Sequence, residues 1–303
     1  MPKVSKVAKE RTQFDLIIMD GLNLCFRYNY GMGYLKSRKG VRTGMFHGFL
    51  SKLVKLRIEN PRARLVVVWE GGDLVRKRII DDYKANRPKV KDSFKQQCSK
   101  LVDLLGMLDI EQKFVPGYEA DDAAATLVEE AGKKHVLLVT NDKDWNQMMC
   151  PDRNVCVMLK NDPLSYDQMR RKLGFPPDRF ALHTLMKGKT GNNVKGIHLF
   201  PTVLASEIVK NCANLSRVYK FEPSDPKHRK WIVQMRTDRI ELSERYVALR
   251  LRNDLQLEDY PCAQKNLTQL RLTLRKMEMF KVIELIRRAR SSKKSVSSSR
   301  SQR

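Results

Sequence analysis

Nothing in this sequence is long and apolar enough to cross a membrane. Its most hydrophobic runs, such as Leu65–Trp69 and Val136–Val139, are strand-sized, whereas a spanning helix needs about 20 apolar residues. The N-terminal MPKVSKVAKERTQFD has no apolar segment, so no secretory leader is expected and a cytoplasmic location is (host cytoplasm for a phage-encoded chain). Cysteine is sparse. The six residues at 25, 98, 150, 156, 212 and 262 contain no C-x-x-C pair, which argues against a zinc ribbon or disulfide framework and for free thiols in a reducing compartment. The five histidines form neither H-x-H nor H-E-x-x-H, so they are read as structural. The absence of G-x-x-x-x-G-K-[ST] excludes a P-loop ATPase. No repeat of the usual lengths is visible.

Acid is the scarce charge. The chain carries 59 Lys/Arg against 34 Asp/Glu, a net charge of +25. An excess of that size attracts polyanions, nucleic acid first among them. From Arg287 to Arg303 there are seven Lys/Arg, no acids and a run of serines. Residues 291–303 are therefore expected to be a disordered basic tail and a non-specific phosphate-binding arm. Removing those seven charges leaves +18, so the body itself is basic.

The apolar runs Leu16–Met19, Leu65–Trp69, Val136–Thr140 and Val155–Leu159 lack alternation, as strands buried on both faces of a parallel sheet do. Helical stretches separate them: Thr43–Asn60 with Thr43 as N-cap, Phe94–Met107, Ala120–Ala131 and Ser165–Leu173. This order predicts an α/β doubly wound, mostly parallel sheet over residues 1–175. After Pro176-Pro177 the pattern becomes purely helical to 290, which predicts a second lobe. Within it, Leu267–Arg290 reads as one amphipathic packing helix with Leu270, Leu274, Phe280 and Ile283 on its apolar side. Met148, Met149, Met277 and Met279 read as core.

In an open α/β sheet, ligands lie beyond the C-terminal strand ends. The few acids of this basic chain sit there: Asp20 ends the first strand, Glu70 follows the second, and Asp142 and Asp144 follow the third. Glu119, Asp121 and Asp122 open a helix. Carboxylates gathered on one sheet edge repel unless divalent cations neutralise them, and Mg²⁺ is the natural choice beside phosphates. Cations follow Glu70 closely, in Arg76-Lys77-Arg78 and Tyr83-Lys84-Ala85-Asn86-Arg87. They can clamp a phosphodiester, with Tyr83 available for base stacking. Acids for ions and bases for substrate together point to metal-assisted phosphodiester hydrolysis.

These segments resemble the flap endonuclease or 5′-nuclease family, which includes bacteriophage 5′-exonucleases and the 5′-nuclease domains of bacterial DNA polymerase I. The resemblance runs from about Leu16 to Lys210. It rests on MDG-x-N (Met19–Asn23), R-x(6)-YKANR (Arg76–Arg87), GYEADD (Gly117–Asp122), TNDKDW (Thr140–Trp145) and LMKGKTGNNVKG (Leu185–Gly196). It implies a PIN-like 5′-nuclease core, with an arch over about 74–100 that gates single-stranded 5′ ends. It implies a DNA-binding lobe over 176–290 with a degenerate helix–turn–helix. Asp20, Glu70, Glu119, Asp121, Asp122, Asp142 and Asp144 become metal-site residues, with Asp73 a secondary candidate for the place of Glu70. Arg76, Lys84 and Arg87 become phosphate-facing cations, and Tyr83 joins them at the catalytic site.

The family's G-D-x-x-D-N reads Gly188-Lys189-Thr190-Gly191-Asn192-Asn193 here, so both aspartates are gone. Its G-x-G-x-K is replaced by Leu199-Phe200-Pro201-Thr202-Val203. Lys187, Lys189, Asn193, Lys195 and Gly196 remain as DNA-binding candidates. The implied protein is a Mg²⁺-dependent 5′-3′ exonuclease or flap endonuclease acting in replication or primer removal. It would hold one tight ion and a weaker second one, with Mn²⁺ able to substitute. It would act as a monomer on DNA with 5′ ends, flaps or nicks, with RNA–DNA hybrids as further substrates. Two other readings stay open: a branched-DNA-binding protein with weakened catalysis, and a related enzyme acting on RNA 5′ ends.

Overall fold

The computed structural model describes residues 13–159 and 161–298, with side chains as far as 290. The basic N-terminal segment 1–12 and the last residues, 299–303, lie outside the described residues. Five strands are parallel: β1 (Leu16–Asp20), β2 (Arg64–Val68), β3 (Glu111–Phe114), β4 (Val136–Val139) and β5 (Val155–Leu159). Two short antiparallel strands close the edges, β6 (Asp162–Leu164) on β5 and β7 (Glu258–Asp259) on β3. The order across the sheet is β6-β5-β4-β1-β2-β3-β7. The predicted α/β class is the observed one.

The central strands β1, β2 and β4 are almost wholly apolar because both sheet faces are covered there. Ile17, Met19, Leu65 and Val67 face α1 (Gly21–Gly31), α2 (Gly44–Glu59) and α4 (Asp92–Met107). Ile18, Val66, Val68 and Leu138 face α5 (Ala120–Ala131). Each such side chain contributes about 1.5–3 kcal/mol by leaving water. The sequence pattern does not predict α1, since GLNLCFRYNYG contains few strong helix formers. Burial and its cap hold it: Asp20 accepts from the Asn23 N–H at 3.1 Å. It also needs Gly21, where a Cβ would lie 2.5 Å from the Trp69 ring. Thr43 flanks α2 as expected but makes no capping bond; its hydroxyl turns back to the Leu35 carbonyl, 3.4 Å away.

Beyond β6 come α6 (Tyr166–Leu173) and a separate helical core. α7 (Phe180–Lys187), α8 (Thr202–Asn211), α9 (Leu215–Val218), α10 (Arg229–Thr237) and α11 (Arg239–Leu249) bury Leu182, Leu185, Leu204, Ile208 and Met235. The lobe is shorter than the expected 176–290. From β7 onward the chain returns to the first core, where α12 (Leu267–Lys276) and α13 (Phe280–Ser298) add Leu270, Leu274, Met277, Met279 and Val282. The expected single helix Leu267–Arg290 breaks at Glu278, whose φ of 57° is left-handed. Both flanking methionines are thereby buried, while Phe280 restarts the helix out of phase and is 63% exposed. The serine-rich stretch, expected to be disordered from 291, is helical as far as Ser298. Once a helix is nucleated on an apolar face, each added residue gains a hydrogen bond.

The stretch expected to arch over the site forms a short strap. α3 (Leu74–Lys77) leads through turns to Arg87, and α4 then packs into the core through Phe94 and Leu101. The strap is fastened to the lobe by Lys84 N–H donating to the Asn192 carbonyl at 2.9 Å.

Candidate active site

Parallel register sets the site. Asp20 lies opposite Val68 and Met19 opposite Val139, so the chain leaves β1, β2 and β4 on one sheet edge. There a cavity of about 100 Å³ is walled by Asp20, Glu70, Glu119, Asp121 and Asp142, with Lys84, Arg87 and Asn192 on the same walls. Carboxylate oxygens of Asp121, Asp142 and Asp144 approach within 4.8 Å of one another.

Each acid is aimed by a specific partner. The Thr140 hydroxyl donates to Asp20 at 2.7 Å and accepts from the Asp142 N–H at 3.0 Å. The Trp145 indole N–H donates to Asp121 at 2.7 Å. Glu119 and Asp122 form a capping box at the start of α5. Thr140, Trp145 and Asn23 sit inside the quoted motifs without an assigned role. Only the three-dimensional placement shows them orienting carboxylates.

The electrostatics are those of an under-neutralised site. Burial pushes Asp20 up to about 7, opposed by the Thr140 and Asn23 hydrogen bonds and reinforced by Asp142. Burial likewise lifts Glu70 to about 7, against the attraction of Lys84. Asp121 is raised well above the ordinary carboxylate range by burial and then by Asp142 and Glu119. Asp142 differs: burial works against it, but Lys189 and the Asp144 N–H hold it below the ordinary value. A set of hard carboxylate oxygens in a small buried cavity fits a divalent cation.

Several expected roles change. Arg76 does not face phosphate. It is buried, pairs with both oxygens of Asp122 at 2.5 and 2.9 Å, and donates to the Ala248 carbonyl at 2.9 Å. Asp122 is fully buried and also accepts the Arg252 N–H at 2.9 Å, which removes it from the metal set. Tyr83 is unavailable for base stacking: it is buried, donates to Glu119 at 3.3 Å and accepts from the Asn192 amide at 3.2 Å. Asp73 turns away to Lys77, at 2.9 Å. Lys84 lies on the cavity wall and reaches Glu119 at 2.8 Å. Arg87 is also on that wall, anchored to Asn192 Oδ1 at 2.6 Å and the Gly191 carbonyl at 2.9 Å.

The 187–196 loop is a structural clasp as much as a binding surface. Lys187 donates to the Phe200 carbonyl and the Thr202 hydroxyl, and Asn193 to the Asp82 carbonyl. A Cβ on Gly196 would meet Gly188 N at 2.6 Å, so the two glycines let the loop ends cross. Lys195 alone of the loop's lysines is exposed with its ammonium unengaged by any described bond. Lys189 points inward, to Asp142 at 3.0 Å and Asp144 at 2.5 Å. The expected weaker second ion would need the place this ammonium holds.

Residues 15–174 match the family described as 5′-3′ exonuclease, N-terminal resolvase-like domain. The chain belongs to the 5′-3′ exonuclease family. It is 28% identical over 273 residues to the 5′-3′ exonuclease of Aquifex aeolicus, covering 87% of this chain and 92% of that protein. It is 31% identical over 188 residues to the thermostable DNA polymerase I of Thermus filiformis, covering 60% of this chain and 22% of that much longer protein. The fold is shared with the zinc-bound T5 5′-exonuclease (TM-score 0.62, 18% identity, 77% of this chain and 88% of that one). It is also shared with the Rad2 catalytic core in complex with DNA substrate (TM-score 0.57, 16% identity, 91% and 92%). Among the described residues, no helix is long and apolar enough to cross a membrane.

Proposed function

We propose that this member of the 5′-3′ exonuclease family is a Mg²⁺-dependent nuclease that hydrolyses phosphodiester bonds at DNA 5′ ends, flaps or nicks. One observation carries the reading: five carboxylates and two cations, Lys84 and Arg87, share the walls of one small cavity at the sheet's ligand edge. Asp20, Glu70, Glu119 and Asp121 would hold the ion, with Asp142 beside them and Mn²⁺ able to substitute. Bound there, a divalent ion supplies Lewis-acid polarisation and a water of lowered pKa. The chain's own residues do the rest. Thr140 and Trp145 hold Asp20 and Asp121 in place, while Lys84 and Arg87 offer fixed positive charge where the phosphate would sit. The exposed Lys195 and the body charge of +18 supply sequence-blind attraction to the nucleic-acid backbone. The polymerase I relatives support a role in replication or primer removal.

The test is incubation of the protein with 5′-labelled flap, nicked, single-stranded and RNA–DNA substrates, in Mg²⁺ or in EDTA. Cleavage of the DNA flap or nick that EDTA abolishes is the expected outcome. Tight binding without cleavage in any metal would establish the branched-DNA-binding alternative. Preference for RNA 5′ ends would redirect the substrate assignment.

A further inference from the structure

The acidic cluster divides into two halves that differ in what neutralises them. On the cavity side, Asp20 and Glu70 share the walls with Lys84, whose ammonium pairs with Glu119 at 2.8 Å. On the other side, Asp142 and Asp144 already share a cation. The Lys189 ammonium lies 3.0 Å from one Asp142 oxygen, 3.4 Å from the other and 2.5 Å from Asp144. Two-ion phosphodiesterase centres place their ions roughly 3.5–4 Å apart, bridged by carboxylates. A second ion held by Asp142 and Asp144 would have to occupy the space of that nitrogen.

Lys189 is not a surface lysine that has swung inward. Its side chain is 23% exposed. Its backbone N–H donates to the Val194 carbonyl at 2.9 Å and its carbonyl accepts from the Val194 N–H at 3.1 Å. The preceding Gly188 adopts φ 77°, a conformation open to glycine, and turns the chain toward the acids. The same loop is tied to the strap by Lys84 N–H and Arg87. The strap and the loop therefore hold the backbone that presents Lys189, and Asp142 and Asp144 hold its ammonium.

We propose that Lys189 is a built-in cation that replaces a second divalent ion, so that the protein works with one bound metal. The inference rests on the metal-dependent nuclease reading above, and a binding measurement separates the two. Titration of the full chain with Mn²⁺, followed by free-ion electron paramagnetic resonance, should give one ion per chain. No spin-coupled pair should appear. Lys189→Asp should raise the stoichiometry to two and produce the coupled-pair signal. Lys189→Gln removes the charge without adding an acid and keeps the test open if the aspartate variant fails to fold. It should admit a second, weaker ion. Two ions on the wild-type chain, or one ion on folded Lys189→Asp and Lys189→Gln alike, would overturn the inference and leave the nuclease reading standing. No bound ion on the wild-type chain would overturn the nuclease reading, and the inference with it.

Discussion

Arg76 and Asp122 close on each other in a buried two-point pair, with the Ala248 carbonyl and the Arg252 N–H completing their hydrogen bonds. The pair joins the strap, the start of α5 and the end of the helical lobe. It is an anchor for the site's geometry, one step removed from the ion pocket. Arg76→Ala would leave Asp122 charged and buried without its partner, a change that costs about 3–5 kcal/mol. Urea unfolding should show that loss. Arg76→Lys should recover only part of it, because an ammonium cannot make the two-point contact.

Lys84→Ala should behave in the opposite way. Its ammonium is on the cavity wall, pairs with Glu119 at 2.8 Å and lies 5.5 Å from the centre of the Tyr83 ring. Stability should fall less than in Arg76→Ala, because the buried Glu119 keeps Arg76 at 3.6 Å and the Tyr83 hydroxyl at 3.3 Å, while single-turnover cleavage falls by about 10²–10³-fold, the usual effect of deleting one fixed charge or donor at a reacting centre. Equal loss of stability in the two variants would show that Lys84 is structural as well.

Asp121→Asn and Asp142→Asn should abolish cleavage without weakening DNA binding. Asn retains an oxygen that can accept the Trp145 N–H at position 121 and the Asp144 N–H at position 142, so the fold survives. The lost negative charge should leave affinity equal or higher. Fluorescence anisotropy with a flap substrate, run beside single-turnover cleavage, separates the two effects. Near-normal cleavage by Asp142→Asn would place the chemistry elsewhere.

Stability should depend on pH in a way that metal removes. Asp20 and Glu70 rise from ordinary values of 3.8 and 4.5 to about 7 in the folded protein. Between about pH 4 and 7 the folded state therefore binds protons that the unfolded state has released. Its stability falls as pH rises through that window and levels off above it. In EDTA, the Tm should drop from pH 5 to pH 7.5. Saturating Mg²⁺ favours the ionised carboxylates and should raise the Tm most at the upper end. A Mg²⁺ effect as large at pH 5 as at pH 7.5 would contradict this linkage.

The sheet and the acids were legible from sequence for one reason: parallel strands buried on both faces write continuous apolar runs, and the residues just past them must lie on one edge. What escaped was set by tertiary contact. β3, reading Glu111–Phe114, is polar in sequence because it lies next to the short β7 edge. α1 depends on Trp69 accepting Gly21 beneath it. Arg76 and Tyr83 take partners that the motifs do not indicate, among them the Ala248 carbonyl and the Asn192 amide, 172 and 109 residues away. No pattern in the sequence identifies a backbone carbonyl as a partner. Lys189 was visible as a departure from the family motif, but its inward direction depends on Gly188 and Val194, which only the fold brings to bear.

DNA binding should fall steeply with salt and show little sequence preference. Phosphate contacts release counterions, giving a log–log slope near −0.9 for each phosphate neutralised, and the body alone carries +18. Residues 291–303 hold four of the chain's Lys/Arg. If all four meet phosphates, deleting the segment should flatten the slope by up to about 4 units. The catalytic cavity is built entirely from residues between 20 and 192, so cleavage at low salt should persist in the truncated protein. Affinity measured from 50 to 200 mM salt on both forms, with two unrelated flap sequences, tests the point. An unchanged slope would mean the tail's charges stay clear of the duplex. Loss of low-salt cleavage would mean that α13, which packs on α2 behind β1, transmits its truncation to the site.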